Sequence, residues 1–151
     1  MSDLTTNEYN EMIGGFFNGI LQQEDLTEIR TCIGDGRSEA EEIYKGFDDL
    51  WHRNWTTGVE ELGEVVKALP GTLKDCTHIG DDIKKLETWG VVFEHPSALP
   101  DLVKANVEHN LIKLTRDLNK AKNEFKDETY FKFGTTVGEM LVIATQPLSA
   151  Y

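Results

Sequence analysis

Two cysteines, Cys32 and Cys76, are the residues of this sequence with the most obvious chemistry. The apolar spacing around each predicts that both lie on buried helix faces. As free thiols they would be small core residues, the usual state in a reducing compartment. As a disulfide they would close a long loop worth roughly 4 kcal/mol of unfolding free energy. No electropositive neighbours in sequence would activate either thiol as a nucleophile. The sequence leaves both redox states open.

Histidines and paired carboxylates give only weak indications of a metal site. No two of the four histidines are spaced i, i+4: His52, His78, His95 and His109. Cys76-x-His78 alone is too little for a zinc site. Asp48-Asp49 and Asp81-Asp82 lack the spacing of a calcium-binding loop, and adjacent helical residues point in different directions.

Catalytic motifs are missing from the sequence as well. It contains no phosphate-binding loop, no dinucleotide-binding fingerprint and no G-x-S-x-G nucleophile motif. No serine, histidine and aspartate combination stands out. We therefore predict no catalytic residue, no cofactor and no bound metal, and a protein that is not an enzyme.

Asn54-Trp55-Thr56 fits the sequence pattern for N-glycosylation. Because such patterns arise often by chance, Asn54 is a candidate only if the protein is secreted.

Glycines recur at positions where helices could cross closely. Gly15-x-x-x-Gly19 falls in the first predicted helix and Gly134-x-x-x-Gly138 in the last. Two glycines inside a helix cost roughly 1–2 kcal/mol against alanine, which is tolerable if another helix packs across them. Dimerisation in a membrane would need an apolar segment that is absent. Gly36 is predicted to lie on the buried stripe of the second helix for the same reason.

Apolar residues recur at helical spacing along the whole chain. Between Leu26 and Trp51 they keep one phase through Gly34 and Gly36, which predicts a single long helix over about 26–54. Capping boxes at Thr5-x-x-Glu8, Asp25-x-x-Glu28 and Thr57-x-x-Glu60 and a cap at Thr72 predict helix starts. The other expected helices cover about 6–23, 57–69, 72–89, 97–126 with a break near 106–110, and 128–145. We expect an all-α fold: one domain over 1–151, a bundle of about five to seven helices with one long central helix.

The charge balance excludes some partners. The net charge of -12 argues against nucleic acid, which needs a surplus of lysine and arginine. No apolar run is long enough for a transmembrane segment. The first residues lack the features of a secretory signal, so the expected location is cytoplasmic, or extracellular or luminal if Cys32 and Cys76 pair.

The charge is distributed unevenly along the chain. Residues 1–50 hold twelve acidic and three basic side chains, whereas residues 101–151 hold seven of each. An acidic and a more basic face on one protein favour head-to-tail self-association.

Five short patterns follow one another along the chain: Gly15-Phe16-Phe17-x-Gly19, Cys32-Ile33-x-Asp35, Leu69-Pro70-x-x-Leu73-x-x-Cys76, His95-Pro96-x-x-Leu99 and Phe133-Gly134-x-x-x-Gly138. In their order and spacing the chain resembles an uncharacterised family of small all-helical two-cysteine proteins from ciliated protists. The resemblance implies a helical fold and a cysteine pair, and it implies no activity.

These observations favour a non-enzymatic structural or assembly subunit that acts through association with a protein partner or with itself, as a homo-oligomer or part of a larger assembly. The alternative is a carrier that binds a lipid or another apolar small molecule in the helical core.

Overall fold

The protein is an all-α bundle in a computed structural model that describes residues 3–22, 29–76 and 79–151. This part of the chain contains no β-strand, and the predicted fold class is confirmed. Its α-helices are α1 (Thr6–Leu21), α2 (Ile29–Cys32), α3 (Arg37–Trp51), α4 (Trp55–Thr72), α5 (Gly80–Trp89), α6 (Leu99–His109), α7 (Leu111–Lys126) and α8 (Tyr130–Thr145). Short 3-10 helices follow α5 (Gly90–Glu94) and α8 (Leu148–Ala150).

The closest helix pair joins the two ends of the chain. Gly15 of α1 faces the backbone of Phe131, and Gly19, one turn later, faces Thr135. Because both partners advance along α8 together, α1 and α8 run parallel. A Cβ on Gly15 would stand 2.0 Å from the Phe131 carbonyl oxygen, a distance that no real pair of atoms could keep. The glycines therefore permit backbone contact between the two helices.

Gly134 and Gly138 of α8 repeat this arrangement from the other side of the contact. A Cβ on Gly134 would meet the Met12 carbonyl oxygen, and one on Gly138 would meet that of Phe16. The four glycines interlock, and the remaining helices surround this pair. α3, α6 and α7 each pack against α8, and α4 packs against α3 and α6. One hydrophobic core runs through all of these contacts.

The prediction of one long central helix over about 26–54 is wrong. The structure has α2 and α3 instead, with a break at Ile33–Gly36, and the predicted cap at Asp25-x-x-Glu28 lies outside the described residues. Two glycines in three positions favour other conformations over a helix. The Asp35 carboxylate accepts the backbone N–H of Arg37 at 3.1 Å, which starts a new helix. Gly36 is the N-cap residue of α3 rather than a residue within a helix.

The start of α4 and the boundary between α4 and α5 also differ from expectation. α4 starts at Trp55, two residues before the expected cap at Thr57, and it continues through Pro70 to Thr72. Proline removes one backbone hydrogen bond, and the helix ends two residues later rather than at once. Thr72 does not start a helix: its hydroxyl donates to the Ala68 carbonyl oxygen at 3.1 Å.

Other boundaries follow the sequence prediction closely. The Thr5 hydroxyl accepts the Glu8 N–H, and the Glu8 carboxylate accepts the Thr5 N–H, as the predicted capping box requires. The break expected near 106–110 is found at Asn110, between α6 and α7.

Candidate functional site

Cys32 and Cys76 form a disulfide in the structure, with their Cα atoms 5.3 Å apart. Cys32 is the last residue of α2, and Cys76 lies in the segment between α4 and α5. Both residues are half-buried. The cysteines thus join the end of α2 to a connecting segment rather than joining two buried helix stripes.

The loop that follows Cys32 is held against α1 by a buried amide. The Asn10 side chain donates to the carbonyl oxygens of Ile33 and Gly34 at 3.2 and 3.3 Å. These contacts give hydrogen-bond partners to carbonyl groups that the break in the helix would otherwise leave without one. A Cβ on Gly36 would stand 2.3 Å from the Cδ1 atom of Ile13, so a larger residue there would require that side chain to shift.

Asn54 lies at the exposed corner between α3 and α4. It is the N-cap residue of α4, and its side chain makes no capping hydrogen bond. The amide is therefore accessible at the surface, as a modification site must be.

The residues considered as metal ligands do not converge in the described ranges. No three His, Cys, Asp or Glu side chains there are close enough to hold a metal ion. His78 lies outside the described residues. Asp48 faces His52 at 3.6 Å on the surface of α3, and Asp81 and Asp82 occupy the first turn of α5, where negative charge stabilises a helix.

Glu61 of α4 is an ionisable group that sequence reasoning missed. Its Oε1 lies 3.3 Å from the Lys45 Nζ of α3, and its side chain is only 17% exposed. Burial, together with the neighbouring Asp49 carboxylate, raises the pKa of Glu61 to about 7. Only the packing of α4 on α3 brings these three side chains together, so no spacing in the sequence could reveal them.

A surface along α6 combines an apolar groove with exposed apolar side chains. We call this the α6 surface. Leu148 lines the groove, Tyr151 contacts His109 near the end of α6, and Leu111 and Ile112 begin α7 directly after α6. These four residues are exposed, as is Val91 of the first 3-10 helix. A groove of about 460 Å³ runs between α6 and the two 3-10 helices, and its apolar lining includes Val92, Leu99, Leu102 and Leu148.

The segment after α8 is fastened along α6 by polar contacts. The Tyr151 ring stacks on His109 at 4.1 Å, and its hydroxyl donates to the Asn106 Oδ1 at 2.6 Å. Asn106 is fully buried and its amide donates to the carbonyl oxygens of Ala144 and Gln146. These contacts fasten the segment that carries Leu148, which lines the groove. Sequence reasoning missed this surface, because it depends on where the chain returns after α8.

Comparisons with known proteins place the chain in a family. None of the helices in the described ranges has both the length and the apolar character of a membrane span. No curated protein and no solved structure matches the chain. The model of one family, described as Secreted protein B-like (SctB-like), matches residues 2–145. This match covers nearly the whole chain and all eight α-helices of the described ranges, and it leaves the expected ciliate origin a prediction. The chain therefore belongs to the Secreted protein B-like family.

Proposed function

We propose that this protein is a secreted, non-enzymatic structural protein that associates with further copies of itself through the α6 surface. One observation carries the proposal. An apolar groove lined by Val92, Leu99, Leu102 and Leu148 runs along α6, and the exposed Leu111, Ile112 and Tyr151 lie near the end of that helix. Single exposed apolar residues are ordinary, whereas a contiguous group beside a groove is typical of an interaction surface.

The charge distribution supports a second copy as the partner. The protein carries a net charge of -12, so most approaches between two copies are repulsive. α6 and α7 together cover residues 99–126, which hold six basic and four acidic side chains. Two copies therefore meet with the least repulsion where the apolar side chains lie. The acidic first third can also attract the basic residues of α7, which favours larger head-to-tail assemblies.

An extracellular location is supported by two independent features. The family is described as secreted, and the half-buried Cys32–Cys76 disulfide is typical of oxidising compartments. In such a compartment we further propose that the exposed Asn54 carries an N-linked glycan. Asn54 is the exposed N-cap residue of α4 and does not line the groove along α6.

The surface can be tested with a double substitution, Leu111→Gln and Ile112→Gln. These side chains are 51% and 72% exposed, so their replacement removes little core packing. We expect the double substitution to lower the association constant by about tenfold or more, measured by light scattering after size exclusion.

Asn119→Gln is the matched control, because it changes an exposed residue of the same helix, α7, outside the α6 surface. Equal association of the double variant and the control would refute the assignment of the α6 surface.

A further inference from the structure

A second cleft lies on another side of the protein, between α3 and α7. Both helices pack against α8, and they leave between them a cleft of about 290 Å³. This volume is close to the lower end of the range for small-molecule sites, roughly 300 to 1,000 Å³. The cleft is separate in sequence and in lining from the α6 surface.

Aromatic rings form the walls and the floor of this cleft. Tyr44 and Trp51 of α3 and Phe125 of α7 are half-buried and line it together with Phe47. The rings of Tyr44 and Phe125 lie 4.8 Å apart between their centroids, and both Phe47 and Phe125 stand 5.1 Å from the buried Phe133. Since these rings pack on one another and on the core, the cleft is a preformed apolar site rather than a gap between flexible side chains.

The rim of the cleft is positively charged on the α7 side. Lys122 and Lys126 line it, and the Lys122 Nζ lies 3.9 Å from the centroid of the Trp51 ring. The one acidic side chain in the lining is Asp48, which faces His52 on the surface of α3. On a protein of charge -12, a net positive rim with an ammonium group beside an aromatic wall favours an anion with an apolar body.

We propose that the α3–α7 cleft binds a small amphiphilic anion. The apolar body stacks among Tyr44, Trp51 and Phe125, and the acidic group pairs with Lys122 and Lys126. Lys122 covers the Trp51 ring in the structure, and it turns toward the acidic group when the ligand enters. This binding activity is additional to self-association and does not depend on it.

Two fluorescent probes of matched shape test the proposal. One is 8-anilinonaphthalene-1-sulfonate, and the other is N-phenyl-1-naphthylamine, which has the same aromatic body without the sulfonate. We expect the wild-type protein to bind both and to bind the sulfonate more tightly. The double variant Lys122→Gln, Lys126→Gln should lower the affinity for the sulfonate by about tenfold and should change the affinity for the neutral probe by no more than about twofold.

Lys84→Gln, Lys85→Gln is the control pair, because it removes the same charge from exposed positions on α5. It should leave both affinities unchanged. Failure of the wild-type protein to bind the sulfonate would overturn the proposal. So would an equal loss of affinity for both probes in the cleft variant, or a loss of affinity for the sulfonate in the control that is as large as in the cleft variant. Leu111→Gln, Ile112→Gln should bind both probes normally, and loss of binding there would assign the probes to the α6 surface instead.

Discussion

At the scale of single residues, Glu61 links the packing of α4 on α3 to pH. Its pKa is about 7 in the folded protein, mainly because of burial, against an ordinary value of 4.5. Between these values the folded protein holds a proton that the unfolded chain has released. The resulting stabilisation is complete below about pH 4.5 and is lost as the pH rises through 7.

Glu61→Gln should therefore reduce the dependence of stability on pH. We expect the melting temperature of the variant to exceed that of the wild type at pH 8 and to differ little at pH 5, because glutamine resembles the protonated acid. Scanning calorimetry at both pH values measures this. Glu64→Gln on α4 is the control, since that side chain is 68% exposed and should leave the pH dependence unchanged. A pH dependence equal in the Glu61→Gln variant and the wild type would contradict the assignment.

Gly15→Ala tests the contact between α1 and α8. The new Cβ would collide with the carbonyl oxygen of Phe131, a backbone atom that cannot move aside. We expect a loss of about 3 kcal/mol in the free energy of unfolding, measured by urea denaturation. Gly71→Ala is the control: no atom lies within 4 Å of its Cβ position, and it should stabilise α4 by about 0.5–1 kcal/mol. Equal effects of the two substitutions would mean that α1 and α8 do not touch at Gly15.

Asn54 gives a residue-scale test of secretion through a glycosylating pathway. Protein purified from its natural source should have an intact mass above that of the polypeptide, and enzymatic removal of N-glycans should abolish the excess. Asn54→Gln should lack the excess altogether. An unmodified mass in the natural protein would refute the glycan proposal.

At the scale of elements, the disulfide joins α2 to the segment before α5 across 44 positions of sequence. A loop of this length contributes about 4 kcal/mol on the chain-entropy model. The double substitution Cys32→Ser, Cys76→Ser should therefore lower the free energy of unfolding by about that amount. Reduction of the wild-type protein should have the same effect, and the variant should no longer respond to a reductant. A variant as stable as the oxidised protein would show that the bond contributes nothing.

Helices could be predicted from the sequence more reliably than the breaks between them. The capping box at Thr5 and Glu8 is a local signal that the structure confirms. The break expected near 106–110 is found at Asn110, whose side chain makes no capping hydrogen bond. The break at Gly34–Gly36 was missed because apolar residues on its two sides happen to keep one helical phase. What stabilises the break is the Asn10 amide, which lies 23 positions away from Ile33. Such a tertiary contact leaves no periodic pattern in the sequence.

At the scale of the whole molecule, the fold class and the expected association with other chains follow from composition, helical periodicity and charge. The sites themselves could not be predicted in the same way. The α6 surface depends on Tyr151 and Leu148 returning to α6, and the α3–α7 cleft depends on how both helices rest on α8. Both arise from packing between elements that are distant in sequence.

The central claim, self-association through the α6 surface, is tested most directly by sedimentation velocity of the oxidised protein over a wide range of concentrations. We predict that the average mass rises above the 17.1 kDa of one chain as concentration increases. Moderate salt should strengthen association through the α6 surface, because it screens the repulsion between chains of charge -12 more than it weakens an apolar contact, whereas head-to-tail assembly through opposite charges should weaken. A mass of 17.1 kDa at every concentration and salt level would contradict the account.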